Sequence, residues 1–305
     1  MNKDFLSITD LTTEEVWLLL ELAKELKAKQ KCREPHELLK GKTLGMVFMK
    51  PSTRTRISFE VGMYQLGGHA LYLSPAEIGL GTRETAADVA RVLSRYVDGI
   101  MARLFAHDLI VELAKYASVP VINGLTDLLH PCQILGDMLT IQEHRGNFDK
   151  LIVTYIGDGN NVVNSWINMT TKIPFTFRIA CPAGYEPNKQ ITERAKKSGV
   201  GKVEILHDPK EAAAGAHVLY SDVWASMGQE AEAAERRKVF KGYQINEALM
   251  KVAAPDAKFM HCLPAHRDEE VTDGVMESPA SIIFDQAENR LHIQKAIMVK
   301  LMAGR

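Results

Sequence analysis

The chain has 305 residues, 37 Lys and Arg against 38 Asp and Glu, and a hydrophobic content of 46%. Its formal net charge of −1 supplies no global field toward nucleic acid or an anionic membrane, and no apolar run reaches the roughly 20 residues of a membrane span. That length favours two α/β halves over one. The opening MNKDFLSITD lacks an apolar stretch suited to a signal peptide, and Cys32, Cys132, Cys181 and Cys262 share no CxxC spacing. A reducing, cytoplasmic setting is therefore expected.

The spacing predicts an amphipathic helix over 11–30, with Thr12 or Thr13 as cap and acids in its first turn. Short apolar runs at 43–49, 69–73, 98–104 and 119–123 alternate with helical stretches at 54–66, 85–97, 107–117 and 131–144. Such alternation argues for a parallel sheet covered on both faces. A polar stretch, EHRGNFDK at 143–150, reads as a domain boundary, and a second series of strands is expected near 151–157, 175–181, 202–206, 217–221, 258–262 and 281–284. The closing stretch AENRLHIQKAIMVKLMAG forms a helix whose apolar face suits docking on a domain. The fold class is thus α/β, with two doubly wound parallel-sheet domains.

In open sheets of this kind ligands sit at the carboxyl ends of strands. KPSTRTR follows the 43–49 strand, so Ser52, Thr53, Arg54 and Thr55 fall at a helix start, where unpaired N–H groups and the macrodipole favour an anion. One hydroxyl would serve as a cap; three hydroxyls with an interleaved guanidinium exceed that need. Arg103 ends the third strand, and His130 and Gln133 flank Pro131 at another helix start. Taken singly, His130 is an ordinary cap and Gln133 a surface residue; residue types alone leave both readings open.

In the second half, GDGNN after 151–157 contains GxG but has Val162 where a dinucleotide fingerprint needs its third glycine. Asn160 and Asn161 offer amides there instead. YSDVWASMGQE places Asp222, Ser226 and Met227 in a loop, and FMHCLPAHR puts Cys262 and Leu263 at a strand end. A lone Cys is usually a small buried hydrophobe. His261 and His266 have no zinc-type ligand spacing around them, so no metal is expected.

STRTR, HPCQ, DVWASMG, HCLPAHR and AENR resemble, in order and approximate spacing, the transcarbamylase family over nearly the whole chain. The set looks specifically like its ornithine carbamoyltransferases. STRTR and HPxQ belong to transcarbamylases generally. The SMG loop resembles an ornithine-binding loop, while SPAEIGLGTRE at 74–84 lacks the lysine that aspartate carbamoyltransferases lend to a neighbouring subunit.

The resemblance implies carbamoyl transfer from carbamoyl phosphate to the δ-amine of L-ornithine, giving L-citrulline and phosphate in arginine metabolism. It implies that Ser52, Thr53, Arg54, Thr55, Arg103, His130, Gln133, Cys262, Leu263 and Arg290 contact carbamoyl phosphate. Asn161, Asp222, Ser226 and Met227 would hold ornithine, and Arg103, His130, Asp222 and Cys262 would act in catalysis. Neither cofactor nor metal is implied, and no nucleic-acid or membrane partner. Residues 1–145 would bind carbamoyl phosphate, 146–286 ornithine, and the helix of 287–305 would return to the first domain. A homotrimer or multiple of trimers is expected, with hinge closure and a lid over 222–240. Gly79 stands where many relatives carry a Gln that touches carbamoyl phosphate.

Overall fold

In the computed structural model, which describes residues 2–81, 83–225 and 230–303, the chain divides into two compact units. One comprises residues 1–139 and 288–305, the other 140–287.

The first unit begins with α1 (Thr13–Lys31), capped by Thr12, whose side chain accepts from the Glu15 N–H while Glu15 returns to the Thr12 N–H. There follow β1 (Thr43–Phe48), α2 (Thr53–Gln65), β2 (His69–Leu73) and the one-turn α3 (Pro75–Ile78). The unit continues through α4 (Ala86–Leu93), β3 (Gly99–Arg103), α5 (His107–Tyr116), β4 (Val121–Leu125) and the start of α6 (Pro131–Arg145). All strand pairs are parallel, in the order β2-β1-β3-β4. Val47, Ile100, Ala102 and Val121 pack with Val89, Ala90, Ile110 and Leu113 of α4 and α5. Burial on both faces explains why β1 and β3 read as continuous apolar runs and not as alternating ones.

The second unit runs β5 (Ile152–Ile156), α7 (Asn161–Met169), β6 (Thr176–Ala180), α8 (Lys189–Ser198), β7 (Lys202–Leu206), α9 (Pro209–Ala213) and β8 (Val218–Ser221). After these come α10 (Ala233–Val239), α11 (Glu247–Met250), β9 (Lys258–His261) and α12 (Asp273–Met276), and then α13 (Ile283–Met302) begins. Its parallel strands are ordered β7-β6-β5-β8-β9. Trp166 of α7 stacks on Phe177 of β6 at 5.6 Å, and Tyr155 of β5 on Tyr220 of β8 at 5.8 Å.

One expected strand is absent. Residues 281–284 contribute only a bridge between Ser281 and Phe259, and Ile283 already opens α13. A short apolar run such as SIIF cannot by itself distinguish a strand from a buried helix start; the helical periodicity of the residues after it prevails.

In each sheet the order reverses once, between β1 and β3 in the first unit and between β5 and β8 in the second. A crevice opens beyond the carboxyl ends at such a switch point.

Candidate functional site

At the first switch point, Phe48 and Arg103 are register partners at the ends of β1 and β3. Ser52 caps α2: its Oγ accepts from the Thr55 N–H at 3.4 Å and donates to Thr55 Oγ1 at 3.1 Å. Thr55 is buried, and Arg103 Nη1 donates to its hydroxyl at 3.4 Å. Thr53 and Arg54 stand exposed on the same first turn, which contains no acidic residue. A helix start with its N–H groups forward, two hydroxyls linked to an arginine and no acid in its first turn is suited to an anion.

At the end of β4 the chain enters α6, with His130 buried just before Pro131. Gln133, also buried, donates from Nε2 to Asp137 Oδ1 at 2.8 Å and accepts from Arg290 Nη1 through Oε1. Burial, followed by the Arg290 and Arg103 guanidiniums, holds the His130 pKa well below the usual imidazole value. The ring is therefore neutral at physiological pH and retains one N–H to donate.

The second switch point is built from different chemistry. Asn160 caps α7, its Oδ1 accepting from the Val162 and Val163 N–H groups at 3.0 and 3.2 Å. Its Nδ2 donates to Asp222 Oδ2 at 2.8 Å. The other Asp222 oxygen accepts from the Val223 N–H at 2.8 Å and from the Cys262 thiol at 3.1 Å. Asp222 thus follows β8, and Cys262 follows β9, with their side chains joined. Asn161, the first residue of α7, lies half-buried beside Asn160. Leu263 adopts a left-handed φ of 58° while its N–H donates to His261 Nδ1 at 2.9 Å, a sparsely populated conformation of the sort found at ligand sites. Ser226 and Met227 lie outside the described residues.

Donor atoms of Asp222, His261 and Cys262 come within 4.8 Å of one another, a grouping the residue spacing did not suggest. Each already has a partner: His261 accepts at Nδ1 from Leu263, which leaves its Nε2–H for Glu270 Oε1 at 3.2 Å, and the Cys262 thiol donates to Asp222.

Two supports escaped the sequence reading. Arg236 of α10 is buried, pairs with Asp158 at 3.0 Å and donates to the Trp224 carbonyl at 3.0 Å, tying the residues after β5 to those after Asp222. Burial pushes the Asp158 carboxyl up to about 6, outweighing the guanidinium that pulls it down. Glu270 is wholly buried and also accepts from the His266 N–H at 2.6 Å. The runs AERRKV and RDEE look like solvated charge, and nothing in them signals burial. GDGNN has a local explanation: a Cβ on Gly159 would lie 2.4 Å from the Pro187 nitrogen, so this glycine admits the 185–187 backbone.

Residues 3–143 match the model of the aspartate/ornithine carbamoyltransferase carbamoyl-P binding domain, and residues 149–301 that of the Asp/Orn binding domain. The chain belongs to the aspartate/ornithine carbamoyltransferase family. An ornithine carbamoyltransferase of Syntrophotalea carbinolica is 58% identical over 99% of this chain and 100% of its own length. A relative from Pyrococcus furiosus named as the anabolic enzyme is 55% identical over 99% of this chain and 97% of its own. The solved ornithine carbamoyltransferase structure from Pyrococcus furiosus superposes with a TM-score of 0.95 at 56% identity, covering 99% and 97% of the two chains. That from Thermus thermophilus gives 0.90 at 44%, covering 99% of each. In this family frame, the second matched region runs to residue 301, whereas α13 from residue 288 onward belongs to the first compact unit and carries Arg290 to Gln133.

Proposed function

We propose that the two switch points divide one reaction, the first unit holding carbamoyl phosphate and the second L-ornithine. The chain transfers the carbamoyl group from carbamoyl phosphate to the δ-amine of L-ornithine, releasing L-citrulline and phosphate. In this reading Ser52, Thr53, Arg54 and Thr55 take the phosphate with Arg290, and Arg54 forks two of its oxygens. Arg103, neutral His130 and the Thr55 hydroxyl face the carbonyl oxygen, and Gln133 the carbamoyl amide.

The observation that carries the choice of acceptor is the buried Asp222 carboxylate, held by Asn160 and the Cys262 thiol. It attracts an alkylammonium and repels the second carboxylate of aspartate. A free alkylammonium with a pKa of about 10.4, by analogy with lysine, must lose one proton before it attacks. Asp222, with Cys262, orients the amine and receives or relays that proton. The nitrogen lone pair then forms the C–N bond while the carbonyl π pair moves to oxygen, where Arg103, His130 and Thr55 stabilise it. Collapse breaks the C–O bond to phosphate, which leaves with the bonding pair and takes the second proton from the nitrogen. No covalent cysteine intermediate is required. Asn161, Ser226, Met227 and the Leu263 backbone complete the pockets in this reading.

The resemblance also supports a homotrimer or multiple of trimers, tested by sedimentation, and the four cysteines without CxxC spacing support a reducing, cytoplasmic location; no described helix is long and apolar enough to cross a membrane. The relative named anabolic supports the synthetic direction of arginine metabolism. A direct test compares citrulline with carbamoyl-aspartate formation at equal acceptor concentration. Ornithine should be strongly preferred, and a preference for aspartate would sink the assignment.

A further inference from the structure

The second unit contains another cleft, of about 490 Å³, at the opposite edge of its sheet from Asp222 and Cys262. Val218 and Lys258, the first residues of β8 and β9, line it, whereas Asp222 and Cys262 follow the last residues of those strands. A four-residue strand separates the two edges by roughly 13 Å, and the volume falls within the ~300–1,000 Å³ of small-molecule sites. Its lining combines apolar side chains, Ile141, Val218 and Ile282, with basic ones, Arg145, His217 and Lys258.

The basic residues are held in place by backbone. The His217 N–H donates to the Ile152 carbonyl at 2.9 Å, and the Lys258 N–H to the His217 carbonyl at 3.0 Å. His217 Nδ1 accepts from the Ile152 N–H at 3.1 Å, which assigns the ring proton to Nε2, a donor even when the ring is neutral. Burial, then Arg145, lowers the His217 pKa, and Asp256 opposes them. Arg145 donates from Nη2 to the Asp149 carbonyl at 3.0 Å, while its buried Nε has no hydrogen-bond partner among the described residues. Neither Arg145 nor Lys258 forms an ion pair among the described residues. The acid at the rim, Asp256, is exposed, and His144 is engaged by Asp285 at 2.8 Å.

We propose that this cleft is a second binding site, for a small organic anion. Its carboxylate or phosphate sits against Arg145, His217 and Lys258, and its apolar body covers Ile141, Val218 and Ile282. A guanidinium fork beside a point-charge ammonium suits an oxyanion of either kind, and the apolar lining distinguishes the ligand from a bare inorganic ion.

Methyl NMR of the full-length protein, labelled at Ile and Val, tests this with two probes, pentanoate and butyl phosphate. An Arg54→Ala background weakens phosphate binding at the first switch point, whose occupancy the cleft methyls do not report. At least one probe should shift the Ile141, Val218 and Ile282 methyls saturably, and the one saturating at lower concentration identifies the headgroup. R145Q/K258Q should weaken the Kd at least about tenfold with other methyls unmoved, and Asp256→Asn should tighten it a few-fold. Absence of saturable shifts with both probes, undiminished binding in R145Q/K258Q, or weaker binding in Asp256→Asn would overturn the proposal.

Discussion

The two switch points share a topology and oppose each other in charge. At the first, hydroxyls and guanidiniums gather around a helix start that has no acid in its first turn, and burial, reinforced by the Arg290 and Arg103 guanidiniums, keeps His130 neutral. At the second, a buried carboxylate is held by an amide, a thiol and a backbone N–H. The sheet edge is therefore indifferent to ligand chemistry; the residues just beyond the strands choose the ligand. In the proposed reaction the first site takes the phosphorylated acyl donor and the second the ammonium of ornithine.

The sharpest way to break this contrast is to neutralise the carboxylate. Asp222→Asn should lower kcat with ornithine by about 10²–10⁴-fold, the usual worth of a positioned acid or base, while calorimetry finds carbamoyl phosphate affinity unchanged. Normal turnover in that variant would remove Asp222 from the reaction. Reducing the positive field should have a smaller effect. Arg54→Ala should weaken carbamoyl phosphate binding by roughly 1.5–3 kcal/mol, the value of a charge-assisted hydrogen bond, with the fold intact by circular dichroism. Arg54→Lys should recover only part, since a point charge does not reproduce the fork.

The neutral histidine sharpens the comparison through pH. Because its folded pKa is depressed, the His130 contribution to stability is complete above about 6.5 and is lost as pH falls toward the folded value. The difference in urea-unfolding free energy between wild type and His130→Gln should shrink on acidification. A difference that grew would reverse the sign and show a protonated ring. The kcat/KM for carbamoyl phosphate should likewise show no inflection near 6.5.

The smallest effect is expected at Gly79, which has a φ of 53° and where a Cβ would lie 2.6 Å from Arg83 Cβ. Gly79→Gln should strain the loop by about 1–2 kcal/mol and leave carbamoyl phosphate affinity within a few-fold of wild type. A marked gain would show that the loop readily adopts a conformation in which that glutamine reaches the ligand.

The sites differed in how readily they could be read. Ser52–Thr55 are contiguous, so a strand end, a helix start and an excess of hydroxyls and charge appeared together in one string. Asn160, Asp222 and Cys262 are far apart in sequence, and motif resemblance singled out Asp222 and Cys262 while favouring Asn161 over Asn160. The structure shows Asn160 as the amide that grips Asp222.

Periodicity alone determined the α/β class and the parallel sheets, and strand-end chemistry pointed to the helix start at α2, because each follows from local spacing and from groups that neighbour one another along the chain. Tertiary structure decided the rest. Arg236 and Glu270 lie in stretches that look solvated, and only packing turns them into buried partners of Asp158 and His261. Residues 281–284 have the composition of a strand, yet Ile283 starts a helix, since a four-residue apolar run satisfies either geometry until its neighbours are in place. Arg290 reaches Gln133 from 157 residues away. The pKa values of His130 and Asp158 belong to this group as well, because desolvation depends on what surrounds a side chain in space, and sequence order does not specify that.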